Sequence, residues 1–417
     1  MLKQLLIFLK KSVFNHEMKK ILVVGGGDYQ VPLIKRIKDL GYLAFCVDKN
    51  DKAPGFSYAD DHRCIDIIDS ELCYEYAKEL DIDGIATYGA TITLPTVSYI
   101  GKRLNLKALP FETAKIAKNK YEIQKKIVEG GCNSKGPFFL YTDIHTAYHS
   151  DIKFPCVAKP CDGSGSKGVS IVFSQEQYNA ALEKAFCAAR FGEIYVERYI
   201  EGDEYSVEAF VDNRKVYIYA IVKTTFIRHG SFNTDIEYGH CTPADINDDQ
   251  EQNIVNEVEK AIRVLDINMG SVNFDIILSS EDNKAYIIDC GIRVGQNLIS
   301  SHIIPLSRGV NEMDLYISQV LNMATNPRPK YQKCIATRLL IPNPGKIVHF
   351  GNSNQYVNQY SIVDIVFKKK AGDLQGKYKN KSDNCGWVIC SGNTSQEAEE
   401  NAETARKAVL SQMIIEG

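Results

Sequence analysis

The 417 residues carry 44% hydrophobic and 24% charged side chains, proportions of a folded chain rather than a disordered one. That length exceeds one ordinary core and implies two to four packed units. A net charge of −3 leaves no basic footprint for nucleic acid and points to small-molecule partners.

The 12 cysteines are scattered with no C-x-x-C pair, which reads as reduced thiols in a reducing cytosol; Cys385 and Cys390 alone make only half a zinc site. The opening MLKQLLIFLKKSVF is broken by Lys3, Lys10 and Lys11 and falls far short of a membrane span. Residues 1–18 therefore read as an N-terminal extension before a working start at Met18, a short amphipathic helix being the other reading. No membrane association is expected.

In chain order, KILVV (20–24) is a continuous apolar run ending in Gly25-Gly26-Gly27, as a buried parallel strand and tight turn would be. A helix to about Leu40, the strand LAFCVD, a helix near 70–80 and the strand IDGIAT complete a small doubly wound sheet to about residue 108. The glycine turn, with Asp48 downstream, invites a nicotinamide-dinucleotide reading, but Gln30 stands where the third glycine belongs. Pro110 opens a helix, FETAKIAKNKYEIQKKIVEGG, closed by Gly130 and Gly131. Residues 137–222 are strand-rich, 224–250 read as a long polar loop, and a helix follows to about 265. SVNFDIIL and AYIID then form a hairpin, and the last ninety residues read as short strands ending in a helix.

Chemistry concentrates at four places. With the hairpin turn centred on Asp282, Asp275 faces Asp289, and carboxylates with Cβ atoms about 4.5–5.5 Å apart repel unless a cation lies between them. Magnesium is commonly held by such oxygen ligands together with substrate phosphates. Arg293, four residues past Asp289, suits an anionic intermediate. The competing reading is a solvated hairpin with two ordinary aspartates. Second, Asp162-Gly163-Ser164-Gly165-Ser166-Lys167-Gly168 offers backbone N–H groups and a cation to a polyphosphate, or is simply a flexible hairpin; it is not a Walker loop. Third, Lys159 ends a strand beside that loop and suits a phosphate, whereas Lys120 sits in a helix, where lysines are usually only solvated. Fourth, Glu197, Glu201, Glu204 and Glu208 surround a strand–turn–strand, Glu204 being placed to bond a ribose. No nucleophile with a base stands out, and His145 and His149 lack a third metal ligand.

Taken in order, VAKPCDGSGSKGV, YVERYIEGDEYSVE and NFDIIL…AYIIDCGIR resemble the ATP-grasp superfamily from Lys20 to the C-terminus. The layout is similar to that of carboxylate–amine ligases, including L-amino acid ligases, and of biotin carboxylase and the purine-pathway ligases. The resemblance implies a mixed α/β and α+β multidomain chain. Its parts would be a Rossmann-like pre-ATP-grasp domain (19–108), an ATP-grasp domain (109–325, β-rich lid about 137–200) and a C-terminal β-rich subdomain (326–417). It further implies that Lys120 and Lys159 contact ATP phosphates, and that Ser164, Gly165, Ser166 and Lys167 fold over them. The backbone of Glu197, Arg198, Tyr199 and Ile200 would meet adenine, and Glu204 the ribose. Asp275 and Asp289 would hold Mg²⁺, or Mn²⁺, and Arg293 would be catalytic with Lys159 and Lys167.

Two departures stand out. The family's E-x-N-x-R reads Asp289-Cys290-Gly291-Ile292-Arg293, so its asparagine is missing and both metal carboxylates are the shorter aspartate. Altered metal geometry, lower activity or a pseudoenzyme are the possible consequences. The implied activity is an ATP-dependent ligase joining a small carboxylate, such as an amino acid, to an amine through an acyl phosphate. Residues 224–250, with Arg228, His229, Glu237 and His240, would help to choose substrates. A bicarbonate- or formate-activating relative is the alternative, and family habit suggests a homodimer.

Overall fold

A computed structural model describes residues 18–148, 152–163, 165–227, 236–295, 298–351, 360–378 and 383–417. Residues 1–17, His149, Ser164, Arg228 and His229, named in the expectations above, lie outside them. Strands β1 (Lys20–Val24), β2 (Leu43–Asp48), β3 (Asp61–Cys64) and β4 (Gly84–Ala86) form a parallel sheet in the order β3-β2-β1-β4. β1 is apolar and buried from Ile21 to Val24 because both of its faces are covered. Ile21 and Val23 pack on helix Val31–Asp39, while Leu22 and Val24 pack towards helices Ser70–Leu80 and Leu94–Leu104. The edge strand β3, DHRC, is wholly exposed and carries no hydrophobic signal that would reveal it in the sequence.

The expected single helix from Pro110 is two, Phe111–Ile116 and Lys120–Glu129. Asn119 breaks it: its backbone is extended and its side chain accepts the amides of Tyr121 and Glu122 at 3.0 and 3.2 Å.

A second sheet, β5 (Phe138–Tyr141), β6 (Cys156–Pro160), β7 (Ser170–Val172) and β8 (Ile194–Arg198), is antiparallel in the order β5-β8-β6-β7. Helix Gln175–Ala188 covers it, an element that the strand-rich reading of 137–222 passed over. Its buried stripe is Tyr178, Ala181, Leu182 and Ala185, where two alanines make the periodicity faint.

The largest sheet has eight strands: β9 (Gly202–Asp212), β10 (Lys215–Ile227), β11 (Ile236–Thr242), β12 (Gly270–Ser279), β13 (Ala285–Gly291) and β14 (Cys334–Leu340), with β16 (Ile362–Phe367) and β18 (Gly386–Gly392). Their order is β13-β12-β9-β10-β11-β14-β18-β16. The expected polar loop 224–250 is thus strand over much of its described length, because Thr224–Ile227 pairs with Ile236–His240 and the latter strand pairs on with β14. β15 (Gly345–His349), β17 (Leu374–Gln375) and β19 (Ile414–Glu416) form a small third sheet, and helix Ser395–Gln412 packs behind β14 and β18.

Alternation along β9 and β12 positions the site. Val207, Ala209, Val211, Val272, Phe274 and Ile276 point into a core shared with helices Lys120–Glu129 and Asp248–Val264. The opposite face carries Glu204, Ser206, Glu208, Ser271, Asn273 and Asp275. Among the described residues no helix is long and apolar enough to cross a membrane, and all twelve cysteines are unpaired.

Candidate active site

The β12–β13 hairpin brings Asp275 opposite Asp289 by a bulge. Near the turn Leu278 faces Ala285 and Ile276 faces Ile287; Ile288 is then an extra residue, and the next pair is Asp275 with Asp289. Without it Asp275 would face Ile288, so this one residue aligns the two carboxylates. The Ile288 carbonyl accepts a hydrogen bond from Lys159 Nζ at 2.9 Å.

Lysines from two other elements converge here. Lys120, at the first position of its helix, donates to Asp289 Oδ2, while its own backbone N–H reaches the Cys161 carbonyl at 2.7 Å. Lys159, buried on strand β6, pairs with Glu197 of β8 at 2.5 Å and lies 4.8 Å from the Tyr195 ring centroid. Burial alone would lower the Lys159 pKa; Glu197, with Tyr195 and Asp289, outweighs it and holds the ammonium well above its ordinary value. Burial alone would likewise raise Asp289, but Lys120, then Lys159 and Arg293, hold it below the usual carboxylate range. Asp275 accepts from the Ser206 hydroxyl at 3.3 Å.

Arg293 folds back over Gly291. A Cβ at position 291 would lie 3.2 Å from the guanidinium carbon and 3.3 Å from Nε. The space of the expected asparagine is therefore occupied by the arginine's own side chain, whose Nη1 donates to the Val294 carbonyl at 2.9 Å.

The remaining expected residues lie on and beside the β5–β8 sheet and on β9 and β11. Gly165, Ser166 and Gly168 all have left-handed backbone (φ +64°, +57° and +79°), and Lys167 between them is exposed. Asp162 anchors this loop by accepting the amides of Arg190 and Phe191, both at 3.1 Å. Glu197, Arg198 and Ile200 line a small cleft between the β5–β8 sheet and β13, together with Gln124, Phe138 and Tyr286. Tyr199 donates its amide to the Pro155 carbonyl, and its ring meets Phe173. Glu204, opposite Ile277, shares its sheet face with Ser206 and Glu208. Glu237 and His240 pair at 3.0 Å on β11.

A larger, mainly apolar cleft opens beside Arg293, between the C-terminal end of β4 (Thr87, Tyr88) and the β12 sheet (Ser271), with Lys107 on its wall. At the glycine turn of the first domain, Asp48 accepts the Gly26 amide at 2.8 Å. Gln30 is buried against Gly25 and donates to the Tyr88 carbonyl. The place a dinucleotide phosphate would take is thus closed by the chain's own side chains.

A hard divalent cation fits Asp275 and Asp289: the donors are oxygens only, and the Lys120 ammonium already rests on one of them. Among the described residues no group of three or more His, Cys, Asp or Glu could hold a metal, so such an ion would need phosphate oxygens to complete its shell.

Sequence reasoning missed Glu312, at the start of helix Glu312–Val320, which lies buried within electrostatic reach of Glu208. An acidic residue in a helix's first turn is so ordinary that nothing marks it. Glu208 carried a signal that went unused, a charge inside the apolar strand text SVEAFV.

Residues 152–301 match the family model of the ATP-grasp domain, and 338–413 that of L-amino acid ligase C-terminal domain 2. The chain is 23% identical over 405 residues to a formate-dependent phosphoribosylglycinamide formyltransferase of Sulfurisphaera tokodaii, covering 94% of this chain and 97% of that protein. Its fold is similar to that of an L-amino acid ligase from Bacillus licheniformis (TM-score 0.79, 19% identity, 96% of this chain and 100% of that one). It is also similar to the biotin carboxylase domain of a Hydrogenobacter thermophilus 2-oxoglutarate carboxylase, solved with MgADP and bicarbonate (TM-score 0.69, 15% identity, 96% and 92%).

Proposed function

From the premise that this chain is an ATP-grasp protein, we propose that it is an ATP-dependent carboxylate–amine ligase forming an amide through an acyl phosphate. The observation that carries this is the facing pair Asp275 and Asp289, with Lys120, Lys159 and Arg293 around it. Magnesium bound there would offset charge on the transferring phosphoryl group.

The chain's own residues supply position and charge. Lys159 is fixed by Glu197 and the Ile288 carbonyl and directs its charge at the phosphates; Lys120 leaves Asp289 to join it. Lys167 and its left-handed loop close over them and exclude water. The backbone of Glu197–Ile200 takes the adenine edge and Glu204 the ribose. Arg293 faces the larger cleft, where the substrate carboxylate enters, and holds the acyl phosphate until an amine displaces phosphate. Positioning and electrostatics suffice for this chemistry, which needs no protein nucleophile. The β10–β11 region, including Glu237 and His240, contributes to substrate choice. The partners are small molecules, the chain acts in the cytoplasm, and a homodimer is the expected assembly.

The test is ADP release from Mg-ATP across a panel of carboxylic acids, with hydroxylamine trapping acyl phosphates as hydroxamates. The expected result is a hydroxamate from wild type that vanishes in Asp289→Ala and Arg293→Ala. Stimulation by formate or bicarbonate alone would instead place the chain with the one-carbon-activating relatives, a reading favoured by its likeness to the formyltransferase. Nucleotide binding with no turnover on any acid would overturn the ligase assignment.

A further inference from the structure

Beyond Asp275 and Asp289 the same sheet face becomes buried yet stays acidic. Glu208 on β9, opposite Asn273 and next to Ser206, is wholly buried. Its Oε1 accepts from Asn273 Nδ2 at 2.7 Å and from the Ser206 hydroxyl at 3.3 Å, while Oε2 has no partner. Glu312 reaches the same region from the first turn of its helix; it is 1% exposed, and the Ser271 hydroxyl of β12 faces its carboxylate. The buried Tyr219 hydroxyl of β10, in the same neighbourhood, has no hydrogen-bond partner. Glu208 acts electrostatically on Glu312, Glu312 acts on Tyr219, and both carboxylates act on Tyr88, which lines the larger cleft together with Ser271 and Arg293.

Two buried carboxyl groups and a buried phenol short of partners in one neighbourhood run against the rule that buried polar groups are satisfied. Leaving such groups unpaired costs on a scale that folded chains ordinarily avoid. All are oxygens, carboxylates that accept when ionised and hydroxyls that can turn their protons aside, so the complementary occupant is a cation. A divalent metal is a poor match, because no group of three or more metal-ligating side chains gathers among the described residues. A compact monovalent cation, with up to three or four donors or coordination directions, matches the oxygens present.

We propose that Glu208 and Glu312, with Tyr219 and Ser271, form a subsite behind the larger cleft for a compact monovalent cation, an ammonium group or an alkali ion. Its neighbourhood to Arg293 gives it a part in the reaction. If the chain is the ligase argued above, on which this second step rests, the ammonium of the incoming amine is the occupant and is drawn to the side of the acyl phosphate.

The test uses the full chain and the ions themselves. Thermal unfolding is followed in ammonium, potassium and tetramethylammonium chloride at constant ionic strength, so that screening is equal throughout. The expected result is a saturable rise in Tm with ammonium or potassium but not with tetramethylammonium, and a midpoint raised ~10-fold or more in Glu312→Gln, a change of about 1.4 kcal/mol in binding. Tyr219→Phe, which keeps the ring and removes one oxygen, should raise the midpoint by less. Identical melting in all three salts, or an unchanged midpoint in both variants, would overturn the proposal. The wild-type ion series needs no variant to fold. A second arm separates the two sources. Competition between ammonium chloride and the amine substrate in the ADP-release assay identifies the substrate's ammonium as the occupant, whereas potassium activation without competition identifies a resident alkali ion. Since the melting arm needs no turnover, its failure and a failure of the ligase reading are told apart.

Discussion

Replacing Lys159 by methionine tests the phosphate-facing cluster at its most constrained point. The side chains of Lys159 and Glu197 are 8% and 15% exposed and lie 2.5 Å apart. Methionine keeps most of the volume, so the main consequence is a buried carboxylate without its cation, a loss of about 3–5 kcal/mol. Burying methionine at both positions removes that uncompensated charge, so Lys159→Met/Glu197→Met should recover most of the stability in urea unfolding. Nucleotide binding should not recover. A charge-assisted hydrogen bond is worth about 1.5–3 kcal/mol, or roughly 10- to 100-fold in the Kd of a non-hydrolysable ATP analogue measured by calorimetry. The stable double variant separates the two effects. If it binds the analogue as tightly as wild type, Lys159 is not a phosphate ligand; if the single variant unfolds at the wild-type urea midpoint, the buried pair has been misread.

Other outcomes follow from the same geometry. Gly291→Ala places a Cβ 3.2 Å from the Arg293 guanidinium carbon, so kcat should fall by about tenfold with little change in Tm, since small displacements of positioned groups weigh heavily on rate; unchanged kcat would show that Arg293 does not need this pose. Gly168→Ala combines φ +79° with a Cβ 2.6 Å from that of Ala188, and should loosen nucleotide binding while lowering Tm by several degrees; wild-type binding would exclude the loop as a phosphate cover. Burial pushes the Glu208 carboxyl up to about 7, against Asn273, which favours the charged form; Asp275 raises it further, and Arg293 and Ser206 oppose. Because the folded state then holds a proton that the unfolded chain releases from about pH 4.5 upward, this contribution to stability falls as pH rises from about 4.5 to 7. Glu208→Gln should flatten that part of the urea-stability profile, and an equally steep decline in the variant would refute the assignment.

Much of the frame was legible in the sequence because it rests on local signals. The apolar runs of β1 and β2 and the proline and glycine punctuation follow from period and turn chemistry. Symmetric counting about Asp282 reached the right pair although the strands near the turn are in a different register; the bulge at Ile288 restores it, and no local rule announces that bulge. β3 and helix Gln175–Ala188 were missed for one reason, that an exposed edge and an alanine stripe leave little hydrophobic amplitude.

The sequence by itself determined which residue types are available, two aspartates, two lysines and an arginine at motif spacing, and the strands and helices that carry them. Only the tertiary structure decided that Lys120 rests on Asp289, that Lys159 is committed to Glu197, and that Arg293 fills the space left by Gly291. Only there do Glu208 and Glu312, 104 positions apart in the chain, become buried neighbours. Burial and proximity between distant segments are made by packing, and they set what each charge meets; spacing along the chain carries no record of either.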